Sequence, residues 1–386
     1  MNLNSAALTT LYTLRRRVTP LLFAAAACAA GSFASATPAH GANNYTVRGL
    51  GSSPTVFTAY ATAINARDQV VGYTVGGQGN RAFIYDSTAS APTMHRITAL
   101  QKYSSTKATG INASGLVVGK ADNANGIGHA FIYRSQAHSP VLQIIGPAGA
   151  NSSCYATGIN ADGQVVGSAS IASGSYHAFL YNSAAPTPTM HMLGTLGGDS
   201  SYAMGINNDG QVVGKAQTAK GSYRAFIYNS HAANPVMQNL GTLGGNFSQA
   251  NAINAKGLIV GQSKTAAGSV HAFVYNSRAS HPTMHDLGTL GGSSSKADAI
   301  NVNGQIVGQF KTADGNSHAF LYSDSTLYDL NKLIPANSGW TLNSALAINN
   351  QGDIVGVGID PNGSPEAFLL TPATPIKHAA NSTVSH

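Results

Sequence analysis

The chain has few charged residues and very little cysteine. Only 9% of its 386 residues are charged, with 21 basic and 14 acidic residues. Beyond residue 36 the basic residues form no block and no cluster with aromatic residues, which argues against nucleic acid as a partner. Cys154 is the only cysteine after Cys28, so no disulfide can form within the part of the chain that follows residue 28. Stability must come from packing, which a chain of this length can supply.

Long apolar runs are also missing, apart from one near the N-terminus. There Arg15–Arg17 precede the apolar run Leu21–Ala27, and the small residues Ala34–Ala36 follow. This order of charged, apolar and small residues is typical of a secretory signal, and the run is too short to span a bilayer. We therefore predict a signal peptide over residues 1–36, no membrane span after its cleavage, and a secreted or periplasmic location. Cleavage would leave 18 basic and 14 acidic residues, a formal charge of +4.

A repeat dominates the rest of the sequence. The pattern A-x-x-I-N-x-x-G-x-x-V-G recurs at steps of 47 or 48 residues, and an Ala-Phe-aliphatic triplet keeps the same period. The repeated asparagines are Asn65, Asn112, Asn160, Asn207, Asn254, Asn301 and Asn349. Six repeats have a glycine three residues later, at Gly115, Gly163, Gly210, Gly257, Gly304 and Gly352, and the first repeat has Asp68 there. These residues predict a structural turn in which Asn caps its own backbone and Gly takes a positive φ.

One repeat, Tyr202 to Gly245, has the pattern of four β-strands. Two short apolar runs flank the Asn turn, Ala225–Tyr228 predicts a third strand, and Met237–Gly241 predicts a fourth. The apolar residues run consecutively in the third strand, which indicates burial on both faces. No apolar period of 3.6 residues persists, so helices are not expected.

Four strands in about 47 residues is the size of one propeller blade. A β-helix would need shorter coils, a two-sheet sandwich gives no reason for seven repeats, and an open array of four-stranded units would leave apolar end faces. The last repeat stops after its third strand, Glu366–Leu370, while Tyr45–Gly51 resembles a spare fourth strand. We therefore predict an all-β, seven-bladed β-propeller over residues 44–372, closed by pairing of the N-terminal strand with the C-terminal blade. Residues 373–386 are predicted to be a flexible tail.

The repeats resemble the HAF-repeat family of probable extracellular bacterial proteins. The triplet that gives this family its name stands at His129–Phe131, His177–Phe179, His271–Phe273 and His318–Phe320, and Leu-Gly-Thr-Leu-Gly-Gly recurs at Leu193–Gly198, Leu240–Gly245 and Leu287–Gly292. The resemblance implies export by a bacterium and brings no agreed activity and no catalytic residues. Three repeats depart from the triplet, with Arg81, Arg224 and Glu366 in place of His.

Catalytic and cofactor motifs are not found in the sequence. No acidic pair recurs, no G-x-S-x-G motif is present, and Gly-Thr-Leu-Gly-Gly is not followed by the Lys-Ser/Thr of a phosphate loop. The repeated histidines would lie one blade apart, too far to share a metal ion. We predict no catalytic residues, no metal and no cofactor.

One position varies where its surroundings are constant, and we call it the inner-strand slot. It directly precedes the Ala of the repeat pattern and holds Tyr60, Lys107, Tyr155, Tyr202, Gln249, Lys296 and Ser344. If the first strand of each blade is innermost, these residues surround one mouth of the channel, where Tyr and Lys could contact a sugar. The other interpretation is a solvated strand start at which any polar residue fits.

The sequence thus predicts an exported, non-catalytic recognition or adhesion scaffold that binds a glycan or a cell-surface protein. The alternatives are a hydrolase or lyase acting on polysaccharide, because fold does not settle function, or a purely structural envelope protein. The ligand and the oligomeric state stay open.

Overall fold

The computed structural model describes residues 44–51, 58–77, 79–134, 141–146 and 152–373. The predicted signal peptide, and the predicted tail apart from Ala373, lie outside these residues. The described chain is nearly all β and contains three short 3-10 helices, Thr98–Leu100, Leu330–Lys332 and Ala336–Ser338. None of the described helices has the length and apolarity that crossing a membrane requires.

Seven sheets of four antiparallel strands make up the fold. The N-terminal strand is β1 (Tyr45–Gly49). Blade 1 contains β2 (Thr58–Ile64), β3 (Gln69–Val75), β4 (Arg81–Asp86) and β5 (Met94–Arg96). Blade 2 contains β6 (Ser105–Ile111), β7 (Leu116–Asp122), β8 (Gly128–Arg134) and β9 (Val141–Ile145). Blade 3 contains β10 (Cys154–Ile159), β11 (Gln164–Ser170), β12 (Tyr176–Asn182) and β13 (Met190–Met192). Blade 4 contains β14 (Gly197–Ile206), β15 (Gln211–Thr218), β16 (Tyr223–Asn229) and β17 (Met237–Asn239).

The remaining blades follow the same order. Blade 5 contains β18 (Gly244–Ile253), β19 (Leu258–Thr265), β20 (Val270–Asn276) and β21 (Met284–Gly288). Blade 6 contains β22 (Ser295–Ile300), β23 (Ile306–Lys311), β24 (Ser317–Ser323) and β25 (Thr326–Asp329). Blade 7 contains β26 (Thr341–Ile348), β27 (Ile354–Ile359), β28 (Pro365–Pro372) and, at its outer edge, β1. The first strands of successive blades contact one another around the whole ring, including β26 with β2, so they are innermost. The predicted seven-bladed propeller is confirmed.

The ring closes through the two ends of the described chain. Strand β1 pairs antiparallel with β28, with Tyr45 opposite Pro372 and Gly49 opposite Phe368. The backbone N–H of Leu50 donates to the carbonyl of Ala367 (3.0 Å), and the Leu50 side chain is buried against blade 1. Because β1 covers the outer edge of β28, the predicted closure is confirmed and no open edge is left there.

A close contact explains why the second strand of every repeat has a glycine and the third a phenylalanine. In blade 1 a Cβ on Gly72 would lie 1.9 Å from the carbonyl oxygen of Tyr60 and 2.9 Å from the ring of Phe83. In every blade the distance to the equivalent inner-strand carbonyl is 1.9 or 2.0 Å, and the seven phenylalanines are fully buried. Only glycine leaves room for that carbonyl and that ring together.

The repeated asparagines join each blade to the next. Asn65 Oδ1 accepts hydrogen bonds from the backbone N–H groups of Arg67 (2.9 Å) and Gln69 (3.0 Å), which caps the turn. Its Nδ2 donates to the carbonyl of Asn112 in the next blade (3.0 Å). The same side-chain-to-backbone hydrogen bond recurs at each junction between blades. Asn349 completes the ring of bonds by donating to the carbonyl of Asn65 (3.4 Å). All seven asparagines are buried, so this hydrogen-bonded ring is part of the core.

Candidate functional site

The seven inner-strand slot residues occupy equivalent positions in the inner strands, each five residues before the Asn of the turn. Each pairs across the sheet with the residue that follows the second-strand glycine. These partners are Tyr73, Lys120, Ser168, Lys215, Gln262, Gln309 and Val357. The position therefore varies in two adjacent strands, and both strands shape the surface.

Four tyrosines form one continuous stack across blades 3 and 4. Tyr176 lies between Tyr155 (ring centroids 5.8 Å apart) and Tyr202 (6.0 Å), and both pairs are nearly parallel. Tyr202 then meets Tyr223 at 6.2 Å with a tilt of 50°. All four side chains are partly exposed. The stack brings together two slot residues and two residues from the start of third strands.

Two lysines border this stack. The ammonium of Lys120 lies 4.4 Å from the ring centroid of Tyr155. Lys215 lies 5.4 Å from the centroid of Tyr202 and 5.3 Å from that of Tyr223. All three distances are within the range of cation–π contacts. We call the set of Lys120, Tyr155, Tyr176, Tyr202, Lys215 and Tyr223 the tyrosine–lysine ladder.

Blades 1 and 2 repeat this chemistry on a smaller scale. Tyr60 stacks on Tyr73 with centroids 5.0 Å apart, and the Lys107 ammonium lies 4.5 Å from the Tyr73 centroid. Five of the seven slot residues are Tyr or Lys, and four of these five take part in such aromatic contacts. The fifth is Lys296, which forms an ion pair with Asp298 (2.6 Å).

The other slot residues contribute less to this surface. Gln249 donates from Nε2 to Asn251 Oδ1 (2.7 Å) within its own blade, and Ser344 is buried. Lys296 and Gln309 border a small cavity of about 110 Å³ between blades 5 and 6. The seven positions are equivalent in the fold, but their side chains do not form one uniform surface.

Burial changes the acid–base properties of the ladder. Desolvation raises the pKa of Tyr202 and lowers the pKa of Lys215. The pKa of Tyr176 is raised first by its hydrogen bond with Tyr155 and then by burial. These shifts favour the neutral, hydrogen-bonding form of the Tyr176 and Tyr202 phenols and the neutral form of the Lys215 amine.

The sequence analysis missed Tyr73, Lys120, Tyr176, Lys215 and Tyr223. It followed variation along the inner strand alone, although the residue after each second-strand glycine varies in the same way. Comparing second strands between repeats would have found three of these residues. Tyr176 and Tyr223 precede the His or Arg of the third-strand triplet, and nothing in the period marks them as neighbours of the inner strand.

A second candidate site lies at the end of the ring that carries the Asn turns, where blade 7 meets blade 1. A pocket of about 550 Å³ opens there, and its lining includes Arg48, Asp68 and Asp353. Asn349 Nδ2 donates to Asp68 Oδ1 (2.9 Å) and to Asp353 Oδ2 (2.9 Å). Burial, followed by the charge and the hydrogen bond of Asp353, raises the pKa of Asp68 to about 6. In the sequence, Asp68 is marked only as the residue that replaces the turn glycine in the first repeat.

One amide group holds these two carboxyl groups near each other. Asp68 Oδ1 and Asp353 Oδ2 each accept a hydrogen bond of 2.9 Å from Asn349 Nδ2. Two negative charges this close repel each other, and protonation of one carboxyl group relieves the repulsion.

Other reactive groups are isolated. Within the described ranges no three His, Cys, Asp or Glu side chains converge to hold a metal ion. His271 pairs with Asp286 (2.6 Å) and His318 with Asp329 (2.9 Å), one pair in each of two blades. Cys154 is buried, and burial raises the pKa of its thiol to about 12, so the nucleophilic thiolate is suppressed.

Comparison with known families adds a classification. A family model described as "Protein of unknown function (DUF3466)" matches residues 143–243 and 242–359, more than half of the chain. The chain belongs to the DUF3466 family. That description assigns no activity to a DUF3466 protein, and the resemblance to HAF-repeat proteins stays a prediction beside it. Among curated proteins, none matches this DUF3466 chain significantly.

Several solved structures are distantly similar to it. A streptogramin B lyase shares 13% identity, with 85% of this chain and 98% of the lyase covered and a TM-score of 0.43. TolB from Acinetobacter baumannii shares 12% identity, with 80% of each chain covered and a TM-score of 0.40. Trypanosoma rangeli sialidase in complex with the inhibitor DANA shares 12% identity, with 73% of this chain and 56% of the sialidase covered and a TM-score of 0.41. Similarities this distant carry no argument about the function of the DUF3466 chain.

Proposed function

We propose that this protein is an exported, non-catalytic recognition scaffold that binds glycan through the tyrosine–lysine ladder. The observation that carries the proposal is the continuous stack from Tyr155 to Tyr223, bordered by two ammonium groups. Partly exposed phenols combine an apolar body with a hydroxyl group, which suits polyhydroxylated ligands. Export is supported by the signal-like arrangement of residues 1–36.

Binding rather than turnover is the better account of this surface. The six ladder residues include no carboxylate that could act as an acid or a base on a bound sugar, and the Asp122 carboxylate beside them is paired with Lys120 (2.9 Å). Burial also raises the pKa of the Tyr202 phenol. The nearest equivalent of a catalytic carboxyl pair, Asp68 with Asp353, lies at the opposite end of the blades. Repeated subsites of similar chemistry would allow several weak contacts to add up along one polymer.

The test is saturable binding of the purified protein to a panel of immobilised polysaccharides. We expect Tyr155→Ala combined with Tyr202→Ala to weaken binding at least tenfold, about 1.4 kcal/mol, because two hydroxyl groups are lost and the remaining rings lose the neighbours that hold them in place. The matched Tyr155→Phe and Tyr202→Phe pair keeps the stack and removes the hydroxyls, so its melting temperature should match the wild type while its binding is weakened.

Three outcomes would contradict the proposal. Binding that survives both double variants would place the ligand elsewhere, and the absence of binding to every polysaccharide would leave a protein partner or a structural envelope role. Measurable depolymerisation by the pure protein would favour the hydrolase or lyase alternative.

A further inference from the structure

The ladder offers hydrogen-bond donors and positive charge more than flat aromatic faces. The Tyr176 ring is stacked with both Tyr155 and Tyr202, with ring centroids 5.8 and 6.0 Å apart. Lysine ammonium groups cover parts of the outer rings, Tyr155 and Tyr223. A sugar therefore cannot insert between these rings without breaking the stack. What remains for a ligand is the partly exposed edges, which carry phenol hydroxyls, and the ammonium groups beside them.

The four lysines at the inner-strand slots and their cross-strand partner positions are of two kinds. Lys120 forms an ion pair with Asp122 (2.9 Å) and Lys296 with Asp298 (2.6 Å). Lys215 and Lys107 contact tyrosine rings, and neither takes part in any ion pair found between described residues. Of these four ammonium groups, the two on blades 2 and 4 therefore have no acidic partner in the part of the chain that the structure describes.

Of these two lysines, Lys215 is the better candidate for binding an anion. Desolvation lowers the pKa of its ammonium, which means that its charge has lost part of its hydration. The cation–π contacts with two tyrosine rings compensate only a fraction of the lost hydration free energy, since a cation–π contact is weaker than a buried ion pair. An anion placed beside Lys215 would compensate the charge and would be screened less than at an open surface.

We propose that the ligand is an acidic glycan, with a sugar carboxylate on the Lys215 ammonium and sugar hydroxyls on the tyrosine hydroxyls of the ladder. Lys107, two blades away, supplies a second cationic position for a polymer with repeated carboxylates. The inference rests on the proposed function of the ladder as a glycan-binding surface, and it narrows the ligand from glycans in general to those with negative charge.

The experiment compares two probes that differ only in charge, oligogalacturonate and its fully methyl-esterified form, by calorimetric titration of the purified protein. We expect esterification to weaken binding at least tenfold. Lys215→Gln should weaken binding of the acid by a similar factor and leave binding of the ester unchanged. Lys215→Arg keeps the charge and should keep most of the affinity. Lys256→Gln is the matched control, because it removes one exposed lysine from an Asn turn at the other end of blade 5.

The outcomes separate the two levels of the proposal. Equal affinity for the acid and the ester, unaffected by Lys215→Gln, would overturn the assignment of an acidic glycan as the ligand. The proposed function of glycan binding would not be contradicted by that result. Failure of both probes, and of every other polysaccharide, would overturn the proposed function as well. Inorganic polyphosphate that binds as tightly as oligogalacturonate and depends equally on Lys215 would show that the ladder recognises anions irrespective of sugar, which also overturns the acidic-glycan assignment.

Discussion

Asp68 and Asp353 place two carboxyl groups at the one junction that joins the first blade to the last. Asp68 occupies the turn position that is Gly in the six other repeats, with a φ of 57°, and Asp353 occupies a position that is Gln in four. Asn349 donates to both carboxyl groups, yet burial and mutual repulsion still raise the pKa of Asp68 to about 6. Two departures from the repeat thus combine into a pair of carboxyl groups in which the protonated form of Asp68 is favoured.

This pair makes stability depend on pH. The pKa of Asp68 is about 6 in the folded protein against an ordinary value of 3.8, so the folded state binds this proton more tightly. The resulting stabilisation is complete below about pH 4 and is lost as the pH rises through 6. We expect Asp68→Gly to remove this loss and to relieve the positive φ, so that the variant is about 1 kcal/mol more stable than the wild type at pH 7. Its advantage in stability over the wild type should shrink as the pH falls to 4.

Urea unfolding between pH 4 and pH 7 measures the effect. Asp162→Asn, at an exposed turn position of blade 3, is the control and should leave the pH profile unchanged. A variant profile parallel to that of the wild type over this range would mean that Asp68 does not titrate as described.

At the scale of elements, one connecting sequence takes two conformations. The segment Thr-Leu-Gly-Gly leads into the inner strands of blades 4, 5 and 6. In blades 4 and 5 its leucine, Leu196 or Leu243, packs on the core and bridges the end of the second strand. In blade 6 Leu290 is 42% exposed with a φ of 52°, and β22 begins at Ser295, four residues later than the equivalent starts of β14 and β18.

The cause lies in the neighbouring strand. The second-strand residue opposite the inner strand is Ala216 in blade 4, Ser263 in blade 5 and Phe310 in blade 6. Ser263 Oγ accepts a hydrogen bond from the backbone N–H of Leu243 (2.9 Å), whereas the Phe310 ring is buried in the core between blades 5 and 6. A large ring at this position takes the space of the leucine. A hydrogen-bond acceptor is not required for docking, because Leu196 packs on the core of blade 4 where the equivalent residue is Ala216. Leu290 is left beside a pocket of about 440 Å³.

A double-mutant cycle tests this explanation. Leu290→Ala in the wild type should change the free energy of unfolding by less than about 0.5 kcal/mol, because the side chain is exposed. Phe310→Ser recreates the environment of blade 5, so Leu290 should dock and Leu290→Ala should then cost about 1.5 kcal/mol or more. The single Phe310→Ser change will itself be destabilising. The coupling energy is therefore the effect of Leu290→Ala in the Phe310→Ser background minus its effect in the wild type. Additive effects of the two substitutions would show that Phe310 does not control the connector.

The repeat pattern predicted elements well because each depends on nearby residues. Asn207 and Gly210 define a turn within four residues, and Ala225–Tyr228 forms part of β16 as its apolar run predicted. Features that join distant residues were missed. The bond from Asn65 to Asn112 spans 47 residues, and the stack of Tyr176 on Tyr202 links adjacent blades. Local turn chemistry accounts for the asparagine without revealing that its amide has a second partner.

At the scale of the whole molecule, stability depends on completing the ring. Every blade donates an asparagine amide to the next, and the bond from Asn349 to Asn65 is the longest of the seven, at 3.4 Å. The same junction holds the Asp68–Asp353 pair. In every blade the fourth strand is followed in sequence by the first strand of the next blade, and this includes β1 and β2. The break in chain continuity therefore lies inside blade 7, where β1 is held on β28 by strand pairing and not by a chain connection. We infer that the ring opens first between β28 and β1, which lets the rest of blade 7 separate from blade 1.

Removing β1 tests that inference in the complete fold. A chain that begins at Ser52, compared with one that begins at Asn44, lacks the pairing with β28 and the buried Leu50 side chain. We expect its melting temperature to fall by several degrees and its uncovered β28 edge to promote association, visible by light scattering. A synthetic peptide of residues 44–51 should restore the melting temperature in a concentration-dependent way, since it binds only the folded ring. The same peptide with Leu50→Asp is the control and should fail. If the shortened chain melts as the longer one does, the N-terminal strand is dispensable and the closing junction must be stabilised by the asparagine ring and blade packing alone.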